Sequence, residues 1–283
     1  MLYHPPPLAP LARILLSAAA AIAPLAGITA CSDSEAAPSA TRRAQFDERL
    51  PTHDQLEAAL TAARNTDNGG FNLDMWGAVV DRNGIVVAVA FTGAKEGDQW
   101  QGSRVISAQK ANTANAFSLP QLALSSANLY APTQPGGTLF GLQESNPVDP
   151  AVAYGGNAAD YGTEKDFMVG KRIGGINVFG GGVALYASDG TLLGGLGVSG
   201  DASCADHNIA WKTRFNLGLD HVPAGVSTPP AFDNIIYDID STGTSASGFG
   251  HPECSDAATA ISQALPTDFP IGHSTVASAT GSH

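Results

Sequence analysis

The sequence predicts an α+β fold, an antiparallel sheet with helices packed on it, followed by an irregular C-terminal extension. Two observations carry that prediction. A hydrophobic hairpin followed by a helix occurs twice, as GAVVDRNGIVVAVA then SRVISAQKANTA and as GVALYASDGTLLGGLGVSG then SCADHNIAWKTRF. After Leu219 the chain turns rich in Pro, Gly and Ser, a composition that favours loops. The two hairpin and helix units share their order rather than their residues. Side by side they suggest one sheet with its helices on a single face.

In chain order, residues 53–65 carry Leu56, Ala59, Leu60 and Ala63 at helical spacing, with Thr52 or Asp54 to cap them and Asp67-Asn68-Gly69-Gly70 to end the helix. Residues 75–91 are two β-branched runs about Asn83-Gly84, a strong hairpin signal. Residues 103–117 read as a helix of small residues capped by Ser103, ending before Pro120. The stretch 121–171 is long and turn-rich, and its Tyr130, Phe140, Tyr154 and Tyr161 either line a ligand or seal the sheet edge. Residues 174–211 then join a hairpin turning at Ser188-Asp189-Gly190 to a helix that opens with Cys, Asp and His. In these strands Gly180, Gly181, Gly182, Gly194, Gly195 and Gly197 replace side chains, so a helix, a second chain or a flat ligand can approach the backbone. Beyond them, residues 234–239 (NIIYDI) read as a strand and residues 256–265 as a short helix.

The ends of the chain suggest export. Residues 1–30 run from a polar start with Arg13 into an apolar stretch with a small-residue end, the pattern of a secretory signal. Ile28-Thr29-Ala30-Cys31 resembles a bacterial lipobox, which makes Cys31 the lipidated residue of a membrane-anchored, periplasm-facing lipoprotein; Ser32 after it favours the outer membrane. Residues 31–49 read as a flexible tether, 50–220 as the folded domain and 221–283 as the extension. Removing residues 1–30 moves the formal charge from −12 to −13, which disfavours nucleic acid as a partner. In an oxidising compartment the two remaining cysteines, Cys204 and Cys254, are expected to form one disulfide that ties the extension back.

The SxxxSAxKAxTAxAF helix, the PGGxLxGL loop at 135–142 and the GGxxxFGGGVxLYxxDGxLxGGxGVSGD block together resemble the GlcG/HbpS family of haem-binding proteins, also described as the haem-degrading domain. The resemblance spans residues 56–219. It implies a profilin-like fold, homo-oligomers, and haem or a related tetrapyrrole as ligand. The chain departs from the family pattern in carrying SCADHNIAW after the VSGD segment and in continuing for more than sixty residues past the domain.

Haem iron takes His, Cys, Met or Tyr as axial ligand, and His207, with His251 behind it, is the candidate in this chain. His207, Trp211 and Phe215 share one helical face, so an imidazole and an indole can flank a porphyrin; equally, His207 can be a core histidine satisfied by a carbonyl. Lys110 and Thr113 match the family's central helix. Lys110, Lys171, Arg172 and also Arg104 are cations able to meet a propionate, while Lys110 can instead cap a helix or sit at an oligomer contact. No GxSxG, HExxH or P-loop occurs, and Asp206 and His207 near Ser199 or Ser203 lack a third member of a triad. The sequence therefore favours a haem-binding module over an enzyme. The alternatives are a haem-degrading or other small-molecule enzyme using the same cleft and a purely structural oligomer.

Overall fold

The computed structural model describes residues 46–272, so the expected leader, Cys31, most of the tether, His273 and His283 lie outside the described residues. Helix α1 spans His53–Arg64 and opens with a capping box: the Thr52 hydroxyl accepts the Gln55 N–H while the Gln55 side chain accepts the Thr52 N–H. Leu56, Ala59, Leu60 and Ala63 form its buried stripe, as the spacing predicts. Strands β1 (Trp76–Asp81) and β2 (Val86–Phe91) flank a turn in which Gly84 takes φ +73°. Helix α2 is Ser103–Phe117. Its cap position falls on Gly102, so Ser103 is the first helical residue and not the cap. The second hairpin consists of β3 (Gly182–Tyr186) and β4 (Leu192–Ser199), and helix α3 (Ser203–Asn216) follows it.

All four strands join one antiparallel sheet in the order β2-β1-β4-β3. β1 and β4 pair at its centre, with Trp76 opposite Ser199 and Asp81 opposite Gly194. Successive residues of β1 alternate between two cores. Val79 packs with Leu56, Leu60 and Ile209 of α1 and α3, whereas Ala78 and Val80 pack with Val105, Ala108 and Ala111 of α2. Helices therefore cover both faces, and the single-face arrangement expected from the sequence is corrected. The reason is that every strand is buried throughout its interior, so neither face of the sheet can be left to water.

The glycine-rich strands answer a second question. A Cβ on Gly195 would collide with the carbonyl oxygen of Ala111, and one on Gly197 with that of Ser107. Gly182 meets the Lys110 carbonyl in the same way. The close neighbour for which side chains were removed is the backbone of α2. On this helix Arg104 is buried in a bidentate pair with Asp166, lies 3.7 Å over the Tyr161 ring, and donates to the Ala153 carbonyl, which fastens the long 118–181 connection over the second core.

The segment after Asp220 crosses α3 and ends in helix α4 (Asp256–Asp268), capped by Ser255 and packed on α3. Cys204 and Cys254 are disulfide-bonded with Cα atoms 6.0 Å apart. Residues 234–239 form no strand. Their polar groups are satisfied by side chains of α3 and by the 245–251 turn instead of by a ladder, with only an isolated bridge between Ile239 and Ser245. Among the described residues no helix is long and apolar enough to cross a membrane.

Candidate functional site

The first three turns of α3 place His207, Trp211 and Arg214 on one stripe, at i, i+4 and i+7. The His207 ring lies 6.4 Å from Trp211, and the Arg214 guanidinium lies 4.7 Å over the other part of that stack. The C-terminal segment covers all three. Ile235 shares its backbone N–H between His207 Nε2 at 3.1 Å and Asn234 Oδ1 at 2.9 Å. Trp211 Nε1 donates to the Phe269 carbonyl, and Arg214 holds Asp233 through both guanidinium nitrogens.

His207 is fully buried, and desolvation pushes its pKa down to about 4, so the ring is neutral. Its Nδ1 has no hydrogen-bond partner among the described residues. Nδ1 is left unsatisfied whichever of the two nitrogens carries the proton. The expectation of a core histidine satisfied by a carbonyl is thus half met: the ring is in the core, and its partners are an N–H and an amide.

His251, the second histidine candidate, lies at the start of α3. Its Nδ1 sits 2.7 Å from the Pro252 carbonyl, which can only accept, so Nδ1 carries the proton and Nε2 accepts from the Ser203 hydroxyl at 2.8 Å. Gly180 donates its N–H to the same Ser203 oxygen. Burial pushes His251 down to about 4, far below what a general base needs near neutral pH. The contact is therefore a clasp joining the glycine-rich strand, α3 and the C-terminal segment. Tyr130 of the long connection packs against its ring at 5.0 Å, whereas Phe140 and Tyr154 stay exposed.

The cations fall differently from their sequence expectation. Lys110 is buried and gives Nζ to Asp206 at 2.7 Å and to the Val198 carbonyl at 3.1 Å. Asp206 also accepts the Asp201 N–H, yet burial outweighs both partners and raises its pKa to about 6. Lys110 thus reaches the residue before His207 but is committed to that internal carboxylate, as Arg104 is to Asp166. Thr113 donates to the Gln109 carbonyl and accepts the Asn177 N–H, which fixes the approach to β3. Lys171 lies over the Phe167 ring and Arg172 donates to the Asn83 carbonyl, both beside the β1–β2 turn. Because β4 ends beside Trp76 before α3 begins, these two residues and His207 lie toward opposite ends of the central strands, of which β1 is roughly 15 Å long. They do not form one site, since the chain preceding β3 is paired to the turn of the first hairpin.

Asp233, Asn234 and Ile235 were not singled out in the sequence, although Arg214 at i+7 from His207 signals that a buried carboxylate must be supplied from elsewhere.

The family model described as haem degrading protein HbpS-like matches residues 52–213. No curated protein matches the chain. Among solved structures, a PduOC:heme complex is 24% identical, covering 59% of this chain and 94% of its own with a TM-score of 0.40. The Klebsiella pneumoniae protein ORFY is 21% identical, covering 58% of this chain and 87% of its own with a TM-score of 0.39. The match over residues 52–213, more than half of the chain, places it in the HbpS-like family of haem-degrading proteins.

Proposed function

We propose that this is an exported haem-binding protein that holds or hands on haem or a related tetrapyrrole. The observation that carries the reading is membership of the HbpS-like family through the whole sheet and both of its central helices. The donor chemistry at α3 supports it. A histidine that ligates haem iron must be a neutral imidazole, and His207 is neutral, with an unsatisfied ring nitrogen and an indole beside it. Space does not support it in the closed form, because Asn234 and Ile235 sit on Nε2. A tetrapyrrole on His207 therefore requires the C-terminal segment to move, and Arg214, freed from Asp233 by that movement, becomes a cation available to a propionate.

The rest of the reading follows the sequence. Residues 1–30 act as the leader, Cys31 carries the lipid that anchors the protein facing the periplasm, with the outer membrane favoured, and residues 31–49 tether a 50–220 domain with its 221–283 extension. The Cys204–Cys254 disulfide suits that compartment. The domain assembles as a homo-oligomer. A degradative role is the second reading, favoured by the description of the family itself.

Haemin titration of the purified protein, first with its disulfide intact and then reduced, tests the proposal. A saturable, shifted Soret band in either state supports it, and none in both states removes it. If His207→Ala leaves the band unchanged, the iron ligand lies elsewhere. Loss of the Soret band with iron release on adding reductant or peroxide selects degradation over carriage.

A further inference from the structure

We infer that the segment from Asp220 to Phe269 is a redox-latched cover on His207, held shut by the Cys204–Cys254 disulfide and able to lift once that bond is reduced. The inference rests on the haem-site reading above for its ligand, but not for its mechanics.

Three features of the structure carry it. First, the cover lies outside the two main cores, although Val222 joins Ala184, Tyr186 and Leu192 of the β3–β4 hairpin in a smaller one. The two clusters on the faces of the sheet draw on no residue beyond Leu219 among the described residues, and the segment adds only small clusters around Ile235 with Ala258 and around Val222. Second, its grip on α3 is mostly polar. It consists of Ile235 on His207, Asp233 on Arg214, Ser262 on Asn208, the Phe269 carbonyl on Trp211 and His251 on Ser203. Phe269 on Phe215 and Ile235 with Ala258 on Cys204 add the apolar part of the grip. Water replaces the polar partners when the segment lifts, and the two cores on the sheet keep their own residues, so opening stays local.

Third, the disulfide is placed where it can be cut. Cys254 is exposed while Cys204 is buried as the second residue of α3. A thiolate of an external dithiol attacks the accessible sulfur of Cys254. The S–S bond breaks, and its electron pair leaves on Cys204 as a thiolate that the helix N-terminus stabilises. The second thiol of the reductant then displaces Cys254. The protein gains two electrons and two protons as two thiols, and the reductant departs as a disulfide. Release frees a loop with a sequence separation of 50 residues. In the chain-entropy account this shifts the balance toward the open form by up to about 1000-fold.

The test uses the full protein and diethyl pyrocarbonate, which modifies accessible neutral imidazoles, read by peptide mass spectrometry. With the disulfide intact His207 is expected to be protected. After dithiothreitol it should react at least about 10-fold faster, with protection restored by reoxidation and His53 on α1 as the unchanged reference. Cys204→Ser with Cys254→Ser should mimic reduction, and the reduced wild type serves if that variant does not fold. Equal His207 reactivity in both redox states overturns the latch. So does loss of amide protection throughout α2 on reduction, because the bond would then be a staple of the whole domain. Exposure of His207 on reduction without haemin binding in either state supports the latch and overturns the haem reading.

Discussion

Ile235 donates its backbone N–H to Nε2 of His207 at 3.1 Å, so this ring nitrogen is satisfied by the protein's own main chain. The contact depends on Asn234, whose Oδ1 shares that N–H and whose Nδ2 donates to the Ser262 carbonyl. Asn234→Ala takes the Asn234 donor from the buried Ser262 carbonyl and leaves the Ile235 N–H with His207 alone. It should cost roughly 2 kcal/mol in denaturant unfolding and raise amide exchange in α4 more than in α2. A uniform rise across both helices would show that the segment and the domain open together.

The buried pair of Arg214 and Asp233 gives a sharper contrast. Both residues are fully buried, and Arg214 also donates to the Ala184 carbonyl. Asp233→Ala strands a guanidinium in the interior and should destabilise by roughly 3–5 kcal/mol, whereas Arg214→Met together with Asp233→Leu should recover most of that loss. Thermal unfolding of the three variants decides it. If the double variant is no better than the single one, the pair also positions the chain at residue 233.

Stability should fall on mild acidification. His207 and His251 both have folded pKa values near 4, depressed from 6.5 by burial. Their contribution is complete above pH 6.5 and is withdrawn as pH falls through about 4, at roughly 3 kcal/mol each by linkage. Asp206 acts in the opposite sense. Its folded value of about 6 lies above 3.8, so its contribution is complete below pH 3.8 and is lost as pH rises through 6. It offsets about one of the two histidines, which leaves a net loss of roughly 3 kcal/mol between pH 6.5 and pH 4. Denaturant midpoints across that range measure the slope, and His251→Gln should flatten it. An unchanged slope would mean that His251 is not buried as a neutral ring.

The order of the elements was legible because each signal is local: the Leu56, Ala59, Leu60 and Ala63 stripe of α1, the Asn83-Gly84 turn and the stripe on α3 each lie within one element. The disulfide was legible from counting the cysteines of a chain whose sequence suggests export. The partners of His207 and Lys110 were not. The chain that covers His207 lies 27 and 28 residues downstream, and Lys110 meets Asp206 across the end of the sheet at a separation of 96. No periodicity encodes which buried carboxylate a buried cation will find. Residues 234–239 misled for the same reason. β-branched residues signal burial, and here they are buried against side chains of α3 and α4 without a neighbouring strand.

The glycine-rich block makes the last prediction, which separates two reasons for a glycine. Gly190 occupies the β3–β4 turn with φ +81° and open space around its Cα, so Gly190→Ala pays only for a left-handed backbone, about 1 kcal/mol. Gly197 has ordinary backbone geometry but lies under the Ser107 carbonyl of α2, with the Ala111 N–H on its other side. A methyl group there meets backbone, which cannot rotate away as a side chain can, so Gly197→Ala must push α2 off the sheet. Overpacking of this kind costs at least about 3 kcal/mol when the neighbour is main chain. Gly197→Ala should therefore lower the melting temperature several times more than Gly190→Ala. The reverse ranking would mean that α2 can slide along β4, and that the glycines keep this face open for something other than the helix now seated on it.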